Sequence, residues 1–292
     1  MPLGAGHVTT TTAATFIPEI WSNEVKAEHE RNLVVKPLVK SMSMTGKRGD
    51  TIRIPIPVRG DASAKAPNAQ VTLVTTTEQE LIITIDQHWE YSRHIEDVVS
   101  KQAHPELRSF YTEDAGYALA RLQDTQLIAE ADNFDHRFQA VASGQLAAQN
   151  GTATAFNDHS FRAAIQKLDE SDVPGMDRCL VVSPAVKNVL MSIDRYNSRD
   201  FVNSGAVVNG EIGELYGVKV YCTTNLPAVN TDEVGVLLFH KDAIVMAEQM
   251  SIRVQTQYQQ DYLADLLTSD VLFGTSIYRP ENGVQLNVLN EA

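Results

Sequence analysis

Residues 211–227 read Glu-Ile-Gly-Glu-Leu-Tyr-Gly-Val-Lys-Val-Tyr-Cys-Thr-Thr-Asn-Leu-Pro and form the most specific stretch of the chain. The first six residues predict one short helical turn. Gly217 follows at a position where a positive φ is inexpensive only for glycine. Apolar and polar side chains then alternate from Val218 to Cys222, which predicts a half-buried strand that ends by Pro227. These signals alone describe a helical turn, a glycine cap and a strand.

Composition narrows the class of protein. The 292 residues, 43% of them hydrophobic, suffice for a sizeable core and indicate about two domains. A net charge of −13 argues against a chain that wraps DNA, which needs Lys/Arg-rich surfaces. Cys179 and Cys222 lie in apolar runs, so we expect buried free thiols and a reducing compartment. The N-terminal residues do not resemble a signal peptide, and no run reaches the ~18 apolar residues of a membrane span.

The charge is unevenly distributed. Residues 1–70 carry nine Lys/Arg and six Asp/Glu, whereas residues 71–292 carry fifteen Lys/Arg and thirty-one Asp/Glu. Within residues 36–65 the basic side chains outnumber the two acids, Asp50 and Asp61; they are Lys36, Lys40, Lys47, Arg48, Arg53, Arg59 and Lys65. Two interpretations remain open, a solvated basic loop or a protruding basic element that docks on an acidic neighbour.

A long hairpin is predicted around this basic window. From Thr51 to Val58 the isoleucines and Val58 point to one side, while Arg53 and two prolines point to the other. Two prolines of the same parity are tolerated on an edge strand and not inside a sheet. Residues 71–74 and 81–86 are strand-like and bring the chain back. An isolated hairpin is marginal in water, so we expect this one to rest on a partner.

One long helix and a compact helix-strand region follow. Residues 106–131 carry a helical pattern whose predicted apolar face is Leu107, Tyr111, Ala115, Ala118, Leu122, Thr125 and Ala129. Residues 134–156 are predicted to connect two domains. Residues 158–249 alternate helix and strand, with Ser183 as an N-cap and Pro184 at the first helical position. Residues 251–288 return to strand patterns, with a turn at Asn282-Gly283.

No motif for catalysis or a cofactor is present. The sequence lacks a phosphate-binding Gly-rich loop, a nucleophile elbow and a His-Glu-x-x-His zinc motif. His88, His94 and His104 lie near Glu90, Glu96 and Asp97, but without metal-ligand spacing. We therefore predict no catalytic residue, no cofactor and no metal site.

Four segments in order resemble the capsid fold shared by tailed-bacteriophage major capsid proteins, the herpesvirus capsid floor and bacterial encapsulins. Residues 16–22, Phe-Ile-Pro-Glu-Ile-Trp-Ser, look like the start of the N-terminal arm, and residues 49–55, Gly-Asp-Thr-Ile-Arg-Ile-Pro, like the first strand of the extended loop. The helix at 106–131 would be the spine helix, and residues 211–227 would lie in the axial domain.

The resemblance implies an α+β fold in five parts. These are an N-terminal arm (1–45), an extended β-hairpin loop (46–86), a peripheral domain with the spine helix (87–150), an axial domain (151–249) and terminal strands returning to the peripheral domain (250–292). The predicted intersubunit contacts are Trp21, Lys47, Arg48, Arg53, Ile54, Arg59 and Lys65. In this reading the Ile52, Ile54 and Ile56 side of the hairpin is buried on another subunit.

The implied function is that of a major capsid protein, not an enzyme, self-assembling into the pentamers and hexamers of an icosahedral shell around a phage genome. Because the arm begins by Phe16, the resemblance implies a separate scaffolding protein instead of a cleavable N-terminal one. A portal protein is a further implied partner, and a decoration protein stays open. DNA would be contacted non-specifically and membranes not at all. The place of action would be the virion, after assembly in the host cytoplasm.

Two alternatives remain. One is an encapsulin-like cargo shell with the same fold, which a short terminal peptide on a co-produced enzyme would favour. The other is a soluble metal-dependent hydrolase that uses the histidine cluster, for which activity in a monomer and its loss in His88 or His94 variants would be the evidence.

Overall fold

The computed structural model describes residues 33–46, 48–56, 60, 62–68, 70–71, 73, 79–96, 107–141, 146–148, 152–193 and 213–290. The strands are β1 Lys40–Ser43, β2 Thr51–Ile56, β3 Gln79–Thr84, β4 Gln87–Glu96, β5 His136–Ala140, β6 Leu146–Ala147, β7 Arg178–Val182, β8 Glu214–Leu215, β9 Val218–Cys222, β10 Ala228–Asn230, β11 Glu233–His240, β12 Ile244–Gln259, β13 Ala264–Ile277 and β14 Gly283–Leu289. The α-helices are α1 Leu107–Ala129, α2 Asp158–Glu170 and α3 Pro184–Ser192, and short 3-10 helices span Lys36–Leu38, Glu130–Asn133 and Pro280–Asn282.

A four-stranded sheet with the order β1-β12-β13-β4 carries the long helix α1. Strand β1 runs parallel to β12, and the other pairs are antiparallel. The apolar cluster between α1 and the sheet includes Leu119, Leu127, Val271 and Phe273, all nearly inaccessible to water. Burial of this apolar surface is the main attraction between helix and sheet.

The long helix is confirmed, but its predicted face is wrong in part. The helix has 23 residues and is about 35 Å long. Ala115 is buried as predicted, while Ala118 and Leu122 are only half-buried and Thr125 and Ala129 are exposed. The buried positions also include Thr112, Leu119, Ala120, Gln123, Asp124, Leu127 and Ile128. Polar residues occupy this face, so apolar spacing alone indicates a face rotated from the true one.

A second, eight-stranded sheet has the order β6-β5-β14-β11-β7-β9-β8, with β10 also paired to β11. Helices α2 and α3 pack in one apolar cluster with this sheet, which includes Phe161, Leu168, Val186 and Leu190. Ser183 caps α3 as predicted, since its hydroxyl accepts a hydrogen bond from the backbone N–H of Val186. The predicted connection at 134–156 is wrong in part, because it contributes β5 and β6 to one end of the sheet.

The opening stretch forms a tight hairpin. Gly213 precedes β8, and β8 pairs antiparallel with β9, so the helical turn predicted there is wrong for residues 213–216; residues 211–212 lie outside the described part. Tyr216 and Gly217 occupy the turn with φ angles of 51° and 79°. The predicted positive φ of Gly217 and the strand at 218–222 are therefore confirmed. Two consecutive positive φ angles are typical of a two-residue hairpin turn, which is why a helical turn does not form.

Strands β2 and β3 form the predicted hairpin. They pair antiparallel from Thr51↔Thr84 to Ile56↔Gln79. Ile52 and Ile54 are half-buried on one side of β2, while Arg53 and Pro55 are exposed on the other. The alternation predicted from the sequence is therefore confirmed.

The C-terminal strands divide between the two sheets. Strands β12 and β13 form a long antiparallel pair in the four-stranded sheet, whereas β14 lies between β5 and β11 in the eight-stranded one. Residues 250–289 thus contribute strands to both sheets. A single apolar cluster joins the sheets, since Val181 and Phe239 of one pack with Met246 and Phe273 of the other. No helix among the described residues is long and apolar enough to cross a membrane.

Candidate assembly interface

The outer face of the β2–β3 hairpin is exposed and carries both charged and apolar side chains. Arg53 donates to Glu80 with an Nη1–Oε1 distance of 3.1 Å, and their side chains are 67% and 51% exposed. Pro55 is exposed beside them, and Ile82 is 46% exposed. We call these four residues the outer hairpin face. A pair this exposed contributes only about 0–1 kcal/mol to folding, so it does not explain why the hairpin forms.

The inner face of the hairpin is anchored on its own chain. Ile83 is fully buried, and Ile52 and Ile54 pack around it together with Val245 and Ala247 of β12. The N–H of Ile85 also donates to the carbonyl of Asp50 at 2.8 Å and closes the base of the hairpin. The sheet of the same chain thus covers Ile52 and Ile54 in part. Burial of the remaining surface on a second subunit stays a prediction.

Much of the basic window is neutralised within the chain. Lys36 Nζ lies 2.8 Å from Glu248 Oε2, and Lys40 Nζ lies 3.6 Å from Asp242 Oδ1. Both acids are about 200 positions away in sequence, so counting charges in a window overlooks them. Arg48 and Lys65 are exposed and make no salt bridge within the described part of the chain. Among the described cations of the basic window, these two are therefore left to meet another molecule.

Apolar side chains are also exposed between the hairpin strands. Val71 is 65% exposed and Leu73 is 87% exposed. Single exposed apolar residues are common, but these two are close in sequence and follow the exposed run 62–68. The predicted interface residues Trp21, Lys47 and Arg59 lie outside the described residues.

A buried carboxylate that sequence reasoning missed holds the start of the described chain. Asp124 of α1 is fully buried and accepts hydrogen bonds from the backbone N–H groups of Val34, Val35 and Lys36 at 2.8, 3.1 and 3.2 Å. Burial raises the pKa of Asp124 and outweighs the three N–H donors and Lys36, which lower it. The available signal was the polar pair Gln123-Asp124 within an otherwise regular helical pattern.

In the described part of the chain, His88 and His94 have separate partners. His88 Nε2 lies 3.1 Å from Asp270 Oδ2, and Arg253 contacts the same carboxylate through Nε and Nη2 at 3.0 and 2.7 Å. Burial raises the pKa of Asp270, but the hydrogen bonds and charges of Arg253 and His88 outweigh it and lower the pKa overall. His94 instead packs beside the ring of Tyr262, with centroids 5.3 Å apart and the ring planes tilted by 40°. His104 and Asp97 lie outside the described residues.

The described residues contain no group of three or more His, Cys, Asp or Glu that could hold a metal ion. The hydrolase alternative thus has no metal centre in the described part of the chain.

A cleft of about 380 Å³ opens beside the first turn of α3. Four of its polar side chains take part in contacts that hold the fold. Ser183 donates to Asn290 at 3.0 Å, and Glu233 accepts from the N–H of Ala153 at 2.7 Å and from Asn230 at 2.8 Å. These contacts fasten loops to the eight-stranded sheet.

The two cysteine thiols differ in their exposure to water. Cys179 is buried as predicted, and burial raises its pKa further above the usual range. Cys222 is exposed, so the prediction of two buried thiols is wrong for it. It is the last residue of β9, where the burial of the strand ends.

The arrangement of sheets, spine helix and hairpin is that of tailed-phage capsid proteins. The capsid of cyanophage P-SCSP1u matches with a TM-score of 0.72 and 20% identity over 88% of this chain and 88% of that chain. Mycobacterium phage Che8 matches with a TM-score of 0.69 and 21% identity, over 87% of this chain and 90% of that chain. The mature capsid of bacteriophage PhiM1 matches with a TM-score of 0.67 and 17% identity, over 88% of this chain and 87% of that chain. At these identities the likeness establishes the fold.

The sequence establishes the family. A model of the phage capsid protein family matches residues 36–289, so the chain belongs to the phage capsid protein family. It is a major capsid protein that forms an icosahedral shell, and its location is the capsid of the virion. No curated protein matches the sequence. The cargo-shell alternative shares this fold, but no observation favours it over the phage capsid family.

Proposed function

We propose that the subunit assembles through heterologous contacts into the pentamers and hexamers of the shell and encloses the phage genome, with a structural and not an enzymatic role. The observation that carries this proposal is the β2–β3 hairpin. Its inner face is anchored on the subunit's own sheet, while Arg53 and Ile82 of the outer hairpin face stay exposed. A hairpin built in this way can present side chains to a neighbour without losing its own support.

The same five segments remain our proposed division of the subunit, from the arm at 1–45 to the terminal strands at 250–292. Different patches then meet on successive copies, and such contacts close into rings. Arg48, Arg53 and Lys65 would face acidic side chains of the next subunit, together with Trp21, Lys47 and Arg59. Ile54 would contribute the part of its side chain that its own chain leaves uncovered.

Each ion pair contributes little free energy to a contact between subunits, but the same pair recurs at every contact around a ring. A single exposed ion pair contributes about 0–1 kcal/mol, but many copies around a ring can set register. Salt weakens such contacts, because the Debye length falls to about 3 Å at 1 M ionic strength. Residues 71–292 have an excess of acids. An inner wall with this charge would hold packaged DNA only non-specifically.

We further propose that the subunits assemble in the host cytoplasm with a separate scaffolding protein and a portal protein. Whether a decoration protein also binds the shell is left undecided. Electron microscopy of the purified chain, with and without the co-expressed scaffolding candidate, tests it. We expect closed shells in at least one condition and fewer shells as ionic strength rises. Only monomers or small compact oligomers under every condition would contradict the proposal.

A further inference from the structure

The first described residues, 33–39, form a short segment that we call the arm root, because residues 1–32 of the proposed arm precede it. It contains the 3-10 helix Lys36–Leu38, whose N-cap is Val35. Valine has no side-chain acceptor and is a poor N-cap. No side chain of the root caps this helix. The root therefore needs an acceptor from elsewhere.

Asp124 supplies that acceptor from 88 to 90 positions away. Its Oδ2 accepts the N–H of Val34, and its Oδ1 accepts the N–H groups of Val35 and Lys36, at 2.8 to 3.2 Å. Three consecutive backbone donors converge on one carboxylate, which is the way a helix N-terminus holds an anion. Here the anion belongs to the spine helix α1.

The surroundings close this contact off from water. Asp124 and Val35 are both fully buried, and Val39 is 2% exposed. Val35 and Val39 belong to the same apolar cluster as Leu127 and Ile128, which lie one turn further along α1. A buried carboxylate is costly unless its oxygens are fully hydrogen-bonded. The backbone donors of the root and the carboxylate of Asp124 therefore satisfy each other's hydrogen-bonding groups.

A second tie fixes the direction of the root. Lys36 Nζ lies 2.8 Å from Glu248 Oε2 on β12, with both side chains about one-fifth exposed. Directly afterwards β1 joins β12 from Lys40↔Val245 onward. The root is thus attached to α1 through its backbone and to β12 through a side chain.

We propose that Asp124 holds the arm root on the spine helix and so fixes, before subunits meet, the direction in which the arm leaves the subunit. The inference rests on the proposed function, because the arm is an assembly element only in that proposal. It assigns an assembly role to a residue that touches no neighbour. Asp124 is a positioning residue in this sense.

Hydrogen exchange of the unassembled full chain is the direct test. In the wild type, the amides of Val34, Val35 and Lys36 should exchange slowly. Asp124→Asn keeps the size but leaves one carbonyl oxygen for three donors, so their exchange should accelerate by roughly tenfold or more. Asp114→Asn is the matched control, since Asp114 lies on the same helix and contacts Tyr91 instead. It should leave exchange at the root unchanged.

Shell yield, measured by sedimentation and electron microscopy, gives the functional readout. Asp124→Asn should lower the yield several-fold, and Asp114→Asn should lower it less. Unprotected root amides in the wild type, or unchanged exchange in Asp124→Asn, would overturn the inference. So would faster root exchange accompanied by shells at the wild-type yield.

The wild-type measurement needs no variant and decides the hydrogen-bonding claim even if Asp124→Asn does not fold. A wild type that forms no shells under any condition would instead count against the proposed function. The exchange rates of its root would still show whether Asp124 holds the segment.

Discussion

The backbone of Gly274 lies directly against the carbonyl oxygen of Thr84, and no room remains between them for a Cβ atom. Gly274 is in β13 and Thr84 is the last residue of β3, so this is where the hairpin crosses the four-stranded sheet. Its φ is not in the left-handed region. The need for glycine arises from close approach of two backbones, not from an unusual conformation.

Gly274→Ala should therefore destabilise the subunit by roughly 1–3 kcal/mol or shift the hairpin off the sheet, since a methyl group has to displace backbone. Urea unfolding of the unassembled chain measures the first effect, and hydrogen exchange at 79–84 the second. Gly175→Ala is the control, because nothing lies within 4 Å of its added Cβ. Equal stability and equal exchange for both variants would refute the crossing argument.

Variants of Arg53 and Glu80 can distinguish the ion pair within the chain from a contact of Arg53 with a neighbouring subunit. Arg53→Glu should change the free energy of unfolding by less than about 1 kcal/mol, because the pair is exposed. It should nevertheless reduce shell yield, because the charge facing the neighbour is reversed. The double variant Arg53→Glu/Glu80→Arg restores the in-chain pair. If the double variant assembles like the wild type, Arg53 acts only within its own chain and is not an intersubunit contact.

Asp270 should make stability depend on acid pH. Its pKa is lowered in the folded state, so its stabilising effect is complete above the unfolded pKa of about 3.9 and is lost as pH falls through the lower folded value. Asp270→Asn should cost roughly 1–3 kcal/mol at pH 7 and progressively less below pH 4. Urea unfolding from pH 2.5 to pH 7 measures this. Glu80→Gln serves as the exposed control and should cost under about 1 kcal/mol at pH 7; an equal loss for both variants would contradict the prediction.

The two cysteines should react differently with a maleimide. Cys222 is exposed and should label in the folded, unassembled chain, whereas Cys179 should label only after unfolding. Mass spectrometry under native conditions should show one added group per chain. Cys222→Ser should abolish that label and Cys179→Ser should keep it. Two labels on the folded chain would show that the strand around Cys179 opens readily.

The order of helices and strands could be predicted from the sequence, because the apolar residues of each long helix or strand recur with the spacing of that structure. The hairpin, the spine helix and the caps of α3 depend on local alternation, helical spacing and the Ser183-Pro184 pair. The face of α1 could not be read from apolar spacing, because the polar side chains Gln123 and Asp124 are buried on it. Asp124 is buried there because it accepts hydrogen bonds from backbone donors far away in sequence. The turn at Tyr216 depends on pairing between β8 and β9, and a two-residue strand has almost no pattern of its own.

The candidate interface was predictable only as a list of exposed cations. Whether a cation is free depends on the fold, because Lys36 and Lys40 meet acids that the chain brings back from β12 and the turn before it. Apolar alternation likewise identifies a covered side of the hairpin but not what covers it. Ile54 illustrates this, since its cover is the subunit's own β12.

The division of the last strands between two sheets has a mechanical consequence. The chain passes from β11 to β12 through residues 241–243 and returns from β13 to β14 through the short helix Pro280–Asn282. Both passages are brief covalent links between the sheets. Tension that draws the sheets apart is therefore carried by peptide bonds at two places and not only by side-chain packing. If pressure inside a shell pulled the two sheets apart, the backbone of these two links would have to stretch before the sheets could separate.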